Sequence, residues 1–232
     1  MINKWNMFYN AFMEKGGYQE VLTGILNTIL IAFGALVIGI LLGTVIAACE
    51  VVSSKHPVVK VLKKICQVYV AFFRGTPMVV QLLLGYFVVL PLLGISLSSV
   101  VVAVIIMGLN SAAYTSEIMR SGILSVDPGQ MEAGRALGLN YSTTMMNVIL
   151  PQAVKNILPT LGNELISLIK ETSVVSFIGV VDLYKAFRSI ASSNYEYMVP
   201  FLVMAVIYIV MILVITGLLR LMERGLRNSD KR

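Results

Sequence analysis

Five polar residues within a long apolar stretch could together bind a small charged ligand. On a helix, Glu164, Ser167 and Glu171 fall at i, i+3 and i+7, so they share one stripe. Asn163, Ser167 and Lys170 fall at i, i+4 and i+7 and form the adjacent stripe. The combined face carries acceptors and one cation, which suits the ammonium and carboxylate groups of an amino acid.

The apolar surroundings of this face limit where it can lie. A charge at the centre of a bilayer costs about 2.5–3.5 kcal/mol, so such residues usually face a bundle interior or a water-filled cavity. We hypothesise that Glu164 lines a substrate route and favours a cationic solute such as arginine, lysine, histidine or ornithine, because a carboxylate in a low dielectric attracts positive charge strongly. Alternatively, Lys170 and Glu171 reach the outer membrane interface, and Glu164 only pairs with another helix.

Arg74 is a second candidate for ligand binding, as a lone cation in another apolar run. Residues 75–77, Gly-Thr-Pro, follow it, and the proline can interrupt the helix there. Arg74 either binds a substrate carboxylate or pairs with an acidic residue or backbone carbonyls. Glu117 and Arg120, three residues apart, are expected to form a local ion pair.

The residue inventory offers no constellation for catalysis or for a metal. His56 is the only histidine and is expected to be a solvated loop residue, while Cys49 and Cys66 lack metal-ligand spacing. No GxxxxGK sequence followed by serine or threonine occurs, so no phosphate-binding loop for a nucleotide is recognisable. We therefore expect no catalytic residue, no metal and no cofactor in this chain.

The elements that position these residues are predicted to be membrane helices. The 232 residues are 57% hydrophobic and 13% charged, whereas soluble domains average about 25% charged residues. Several apolar runs exceed the roughly 20 residues that a helix needs to cross a bilayer. We expect an all-α polytopic membrane protein of about five transmembrane helices, near 21–49, 67–90, 95–115, from 151 onward, and 197–219. Residues 181–196 are expected to be a polar connection.

Basic residues predict how the chain is oriented. They concentrate in a loop at 55–64, in the polar segment 116–150 and in the tail 221–232, which the positive-inside rule assigns to the cytoplasm. Residues 1–20 are then an external interfacial stub, with the transmembrane domain at 21–220. Because the net charge of +6 is spread over these short segments, it indicates lipid headgroup contact and not nucleic-acid binding.

The cytoplasmic segment 116–150 contains a predicted short helix. Asp127 is a good N-cap, and Gln130, three residues on, completes a capping-box pattern. Gly138 can end the helix in a left-handed conformation, and Asn140 or Ser142 can cap a second helix. The pattern alone allows either an amphipathic helix on the lipid surface or a helix that docks on a partner.

Several motifs favour docking, because they resemble one transporter family. The segment is similar to the EAA loop of permease subunits of bacterial ABC importers, through Glu132-Ala133-Gly134, Gly138 and Val148-Ile149-Leu150-Pro151, with Gly134 and Val148 as small departures. Residues about 20 to 220 resemble the polar amino-acid permeases of that family, in the motifs Phe73 to Pro77, Gln81, Tyr114 to Arg120, Gly129 to Ala133, Pro151 to Ala153 and Lys170 to Ser173.

The resemblance implies a type I importer permease bundle in the bacterial inner membrane. The EAA loop would be a coupling helix that docks on the ATPase, which assigns that role to Gln130, Glu132, Ala133, Gly134 and Gly138. The implied partners are two cytoplasmic ATP-binding subunits that hold ATP and Mg, a second permease subunit, identical or homologous, and an extracytoplasmic solute-binding protein. The N-terminus would lie outside and the C-terminus in the cytoplasm.

Two other functions remain open at this point. A stand-alone ion-coupled secondary transporter or channel is disfavoured by the odd number of spans and by the lack of a visible internal repeat. A membrane anchor that recruits a partner without transport is disfavoured by the charged face around Glu164. Dependence of uptake on ATP and partner subunits would separate the first alternative from an importer permease.

Overall fold

The computed structural model describes residues 2–52 and 56–228, and the described secondary structure is entirely helical. Within these residues, four π or 3-10 segments extend or link the helices, at 10–14, 85–89, 145–149 and 172–178. The helices are α1 Ile2–Tyr9, α2 Gly17–Val51, α3 Pro57–Gly75, α4 Met78–Leu84, α5 Leu90–Leu92, α6 Ser99–Leu124, α7 Pro128–Ala136, α8 Tyr141–Thr144, α9 Leu150–Glu171, α10 Leu183–Asn194 and α11 Met198–Asn228.

Three of the described helices are long and apolar enough to cross a membrane, judged by length and composition. They are Gly17–Val51, Ser99–Leu124 and Met198–Glu223, and the bent pair Pro57–Gly75 and Met78–Leu92 makes a fourth if it counts as one span. Helix α9 is not in this set, since polar as well as charged residues lower the hydropathy of its sequence. Five spans therefore stay a prediction. α11 continues to Asn228, so the predicted tail at 221–232 begins as helix.

The predicted span at 67–90 is not one continuous helix, because the chain bends by 108° between α3 and α4, where the proline was expected to interrupt it. Pro77 forces the residue before it out of the helical region, and Thr76 is extended, with φ −122° and ψ 146°. The side chain of Gln81 donates to the carbonyl oxygens of Phe73 at 2.8 Å and of Thr76 at 3.0 Å. These bonds satisfy acceptors that the interrupted helix leaves open.

The predicted loop at 55–64 is also wrong over most of its length, because α3 already begins at Pro57. Proline suits the first position of a helix, where its missing N–H costs no hydrogen bond. His56 is the N-cap, and its Nδ1 accepts a hydrogen bond from the Val58 amide at 3.4 Å. Lys60, Lys63 and Lys64 therefore lie on a helix, and Lys55 lies outside the described residues.

The predicted polar connection at 181–196 contains the helix α10, which packs one face against α2. Leu183, Phe187 and Ile190 are buried on that face, and they recur at the helical spacing i, i+4 and i+7. Asp182 caps the helix by accepting hydrogen bonds from the amides of Tyr184 and Lys185, both at 3.0 Å. Burial raises the pKa of the Asp182 carboxyl to about 6.

Close packing of α2 on α6 forms the centre of the molecule, with small residues at the contact. A Cβ at Gly39 would lie 2.6 Å from Ser111 Oγ, so only glycine fits there. Thr115 Oγ1 donates to the Gly39 carbonyl oxygen at 2.6 Å across the same contact. Small residues let membrane helices approach this closely, and α9 packs on the α6 side of the pair.

Candidate functional site

The predicted polar residues of α9 lie on a face that this chain leaves largely uncovered. Asn163, Lys170 and Glu171 are exposed, and Glu164 and Ser167 are half-buried. The opposite side of α9 is buried in the core of the bundle through Leu161, Leu165, Leu168 and Ile169. The helix therefore separates an apolar side that holds it in the bundle from a polar side that is open.

Glu164 is fixed to α6 by one hydrogen bond to a neutral group. Ser111 Oγ, which is fully buried, donates to Glu164 Oε1 at 2.8 Å. Within the described part of the chain, no lysine or arginine lies within ion-pair distance of Glu164. The hydroxyl therefore positions the carboxyl group without providing a charge of opposite sign.

Arg74 lies at the end of α3, beside acidic and aromatic residues of α6. Its Nη1 is 3.6 Å from Glu117 Oε2, and its Cζ is 5.5 Å from the centroid of the Tyr114 ring. The expected ion pair of Glu117 and Arg120 is present at 3.2 Å, and Arg120 also lies 3.7 Å from Glu50. Arg74 therefore has the acidic neighbour that a structural role requires.

An open cleft of about 510 Å³ joins Arg74 to the inner part of α9. Its lining is mostly polar or charged and comprises Arg74, Tyr114, Glu117, Ile118, Ser121, Gly122, Ser125, Asn156 and Thr160. Asn156 Nδ2 donates to Ser125 Oγ at 2.9 Å and connects the two walls. Asn156, Thr160 and Glu164 are spaced four residues apart, so the open face of α9 continues into this cleft.

The predicted cytoplasmic helix is present as α7, with most of its predicted caps. Asp127 Oδ1 accepts from the Gly129 amide at 2.8 Å, and Gly138 has a positive φ of 78° at the C-terminal end. Asn140 caps α8 by accepting from the Thr143 amide at 2.8 Å. The Gln130 side chain does not complete a capping box, because its Oε1 instead accepts from Gln152 Nε2 at 3.4 Å.

Helix α7 presents most of its residues outward while a few hold it to the bundle. Met131 packs against the buried cluster that includes Ile149, and Gly134 is buried against Thr144. Glu132 and Ala133 are exposed, and Leu137 at the end of the helix is 81% exposed. Within the described residues, the outer surface of α7 is therefore not covered by the rest of the bundle.

Sequence reasoning missed three side chains of these two regions and gave Tyr114, which it named only within a motif, no role. Asn156 and Thr160 could have been found, because they continue the spacing of Glu164. Ser111 carried no signal of its own, and the contact of Tyr114 with Arg74 depends on which helix packs against α6. Within the described residues, no group of three histidine, cysteine, aspartate or glutamate side chains could hold a metal ion.

Comparison with known proteins gives matches along nearly the whole chain. Residues 39–228 match the family described as binding-protein-dependent transport system inner membrane component. The arginine transport system permease protein ArtQ of Bacillus subtilis (strain 168) is 39% identical over 90% of this chain and 94% of its own. The putative glutamine transport system permease protein GlnP of Rickettsia bellii is 37% identical over 89% of this chain and 92% of its own.

Solved structures share the fold. A crystal structure of an amino acid ABC transporter with histidines has a TM-score of 0.83 and 41% identity, covering 92% of this chain and 98% of the other. An inward-facing structure of the MetNI methionine ABC transporter has a TM-score of 0.74 at 18% identity, covering 90% and 97%. The second likeness concerns the fold alone.

Proposed function

This chain belongs to the family of binding-protein-dependent transport system inner membrane components, and we propose that it is the permease subunit of an ATP-driven importer of polar amino acids. It forms the route through the membrane, and cytoplasmic ATPase subunits supply the energy. Helix α7 is the observation that carries the proposal. It is nine residues long and too short to be stable alone in water, yet it is anchored by Met131 and presents Glu132 and Leu137 outward.

The proposed coupling site is the outer surface of α7. Gln130, Glu132 and Ala133 lie on it, while Gly134 lets the helix approach α8 and Gly138 ends it. A stand-alone ion-coupled transporter has no need for such a projecting helix. In our proposal, closure of two ATPase subunits on ATP, with Mg bound in those subunits, moves α7 and opens the route outward, and hydrolysis returns it inward.

The proposed substrate route follows the open face of α9. Its residues are Asn163, Glu164, Ser167, Lys170 and Glu171, with Arg74 in the adjoining cleft. Relatives named for arginine and for glutamine transport support a polar amino acid. Because Glu164 has no cationic partner among the described residues, we propose that the solute carries a positive side chain.

The open face of α9 also supports a second permease subunit. Exposed polar groups on a membrane helix face another helix or water, because their contact with lipid is costly. We propose that an identical or homologous permease covers this face and encloses the route. An extracytoplasmic solute-binding protein would deliver the amino acid on the side of the N-terminus, and the C-terminus would be cytoplasmic in the bacterial inner membrane.

The proposal is tested by reconstituting the chain in liposomes with its ATPase subunits and binding protein. Uptake of L-arginine or L-glutamine should require ATP on the ATPase side. Glu132→Lys should insert normally but lose at least about tenfold of uptake and of solute-stimulated ATP hydrolysis, because one charge-assisted contact is worth roughly 1.5–3 kcal/mol. Glu223→Lys, the same reversal on α11, should retain both activities. Uptake that a sodium or proton gradient drives without ATP would overturn the proposal.

A further inference from the structure

The cleft beside α9 holds a guanidinium group with spare binding capacity. The Arg74 side chain is 46% exposed and lies 3.6 Å from the Glu117 carboxylate, which is beyond hydrogen-bond distance. Arg120 binds that same carboxylate more closely, with Nη2 to Oε2 at 3.2 Å and Nε to Oε1 at 3.4 Å. Glu50 lies 3.7 Å from Arg120 as a second carboxylate, so the four charges balance, but Arg74 keeps only a contact longer than a hydrogen bond.

Contacts with α6 hold this guanidinium at the cleft wall. Its carbon lies 5.5 Å from the centroid of the half-exposed Tyr114 ring, a distance at which the ring face attracts a cation. Among the described residues, none accepts a hydrogen bond from Arg74, although the side chain has five N–H donors. A planar, positively charged fork of this kind matches a carboxylate in a two-pronged geometry.

Helix geometry places this cation close to Glu164. Ser111, which holds Glu164, lies three residues before Tyr114 and six before Glu117 on α6. At a rise of about 1.5 Å per residue, these intervals correspond to roughly 4.5 and 9 Å along the helix. On the other wall, Thr160 of the cleft lies one turn from Glu164 on α9. The offset along α6 between the contact of Ser111 with Glu164 and the contacts of Arg74 is therefore comparable with the length of one amino acid.

An extended cationic amino acid has matching dimensions. Its α-carboxylate and its side-chain cation are separated by about six bonds, or roughly 7 Å. We propose that Arg74, held by Tyr114, binds the α-carboxylate of the transported amino acid while the side chain points to Glu164. This inference rests on the proposed function and adds the orientation of the solute, with its carboxylate towards the α7 end of the bundle. Arg74 then selects amino acids over amines.

The test compares amino acids with amines that lack only the carboxylate. The probes are L-arginine with agmatine, and L-glutamine with 4-aminobutanamide. Binding of each is measured by calorimetry on the nucleotide-free complex of permease and ATPase subunits in lipid nanodiscs. The wild-type complex should bind the transported amino acid at least about tenfold more tightly than its amine, because a two-pronged ionic contact is among the strongest hydrogen-bonded pairs.

Variants of the charged residues should change this preference in different ways. Arg74→Gln should bring the ratio of the two affinities close to one, whereas Arg188→Gln, the same change on the exposed face of α10, should leave it unaltered. Glu164→Gln should weaken the binding of L-arginine and agmatine together and preserve their ratio, since both carry the guanidinium. A wild-type preference that persists in Arg74→Gln would overturn the inference, as would a wild-type ratio near one.

Two further measurements keep the result decisive. If Arg74→Gln does not assemble, Arg74→Lys keeps the charge but lacks the planar fork, so its ratio should fall below that of the wild type. An unchanged ratio in that variant would contradict the inference. ATP-dependent uptake by the wild-type complex separates the two proposals: its absence overturns the proposed function, whereas uptake with an unchanged ratio in Arg74→Gln overturns only the role of Arg74.

Discussion

Gly134 departs from the EAA pattern that this segment resembles, and the packing of α7 on α8 explains why glycine is needed here. A Cβ at this position would lie 2.5 Å from Thr144 Cγ2 and 2.7 Å from Thr144 Oγ1. Thr144 is fully buried and its hydroxyl donates to the Asn140 carbonyl oxygen at 3.1 Å, so it cannot simply turn away. Overpacking a tight contact costs about 1–3 kcal/mol. Glycine is therefore required here by its neighbour.

Gly134→Ala should displace α7 and weaken coupling, and removing Thr144 atoms should restore it. We expect solute-stimulated ATP hydrolysis of the reconstituted complex to fall by about five- to a hundredfold in Gly134→Ala. The double variant Gly134→Ala with Thr144→Ala should recover most of the loss, because the clash is gone. Gly217→Ala, the same change on α11 where an added Cβ would meet nothing within 4 Å, serves as the control. An equal loss in the single and double variants would show that the contact with Thr144 is not the cause.

The spacing of residues predicted which side chains share one face of a helix, but not which other helix packs against that face. Spacing alone placed Asn163, Glu164 and Ser167 together, and turn chemistry predicted the positive φ of Gly138 and the cap at Asn140. The hydrogen bond from Ser111 to Glu164 and the ring of Tyr114 beside Arg74 depend on contacts between distant helices. Such contacts leave no local pattern in one sequence.

At the scale of elements, the sequence was least informative where a helix is broken or is very polar. Pro77 predicted an interruption of the apolar run through Arg74, but hydropathy does not report how sharply the chain bends at the extended Thr76. Helix α10 was predicted only as a polar connection, because its serines and charges obscure the buried stripe of Leu183, Phe187 and Ile190. Both elements matter for the site: the bend positions Arg74, and α10 packs against α2 at the end of the bundle where α9 finishes.

The N-cap of α10 should make stability depend on pH. The pKa of the Asp182 carboxyl is raised by burial to about 6 from a reference value of 3.8, so the folded state binds this proton more tightly than the unfolded state. The resulting stability is present below pH 3.8 and is lost as pH rises through about 6. Asp182→Asn should therefore flatten the pH dependence of the unfolding temperature of the purified complex between about pH 4 and 6.

A second variant separates the charge of Asp182 from its role as a cap. Asparagine can still accept from the Tyr184 and Lys185 amides, whereas Asp182→Ala cannot and should lower stability by about 1 kcal/mol through loss of the cap. Thermal unfolding of both variants is followed by intrinsic fluorescence across the pH range. If Asp182→Asn keeps the wild-type slope between pH 4 and 6, the carboxyl does not carry the proton that we assign to it.

At the scale of the whole molecule, two kinds of exposed surface require two different neighbours. Helix α11 exposes apolar side chains such as Leu202, Val206 and Leu213, which suit lipid. Helix α9 exposes Asn163, Lys170 and Glu171, which do not. Composition predicted a membrane bundle, but only the fold shows that α9 leaves its polar face uncovered while packing its other side in the core.

This contrast predicts which positions water reaches in the assembled transporter. In a background of Cys49→Ser and Cys66→Ser, which removes both native cysteines, Asn163→Cys should react with a membrane-impermeant quaternary ammonium thiosulfonate. Leu213→Cys, at a side chain 64% exposed in the isolated chain, should react at least about tenfold more slowly, because lipid keeps its thiol from ionising. Excess transported amino acid should slow labelling at Asn163→Cys alone. Equal rates at both positions, or no labelling of Asn163→Cys with or without ATP, would mean that the polar face of α9 does not line the route.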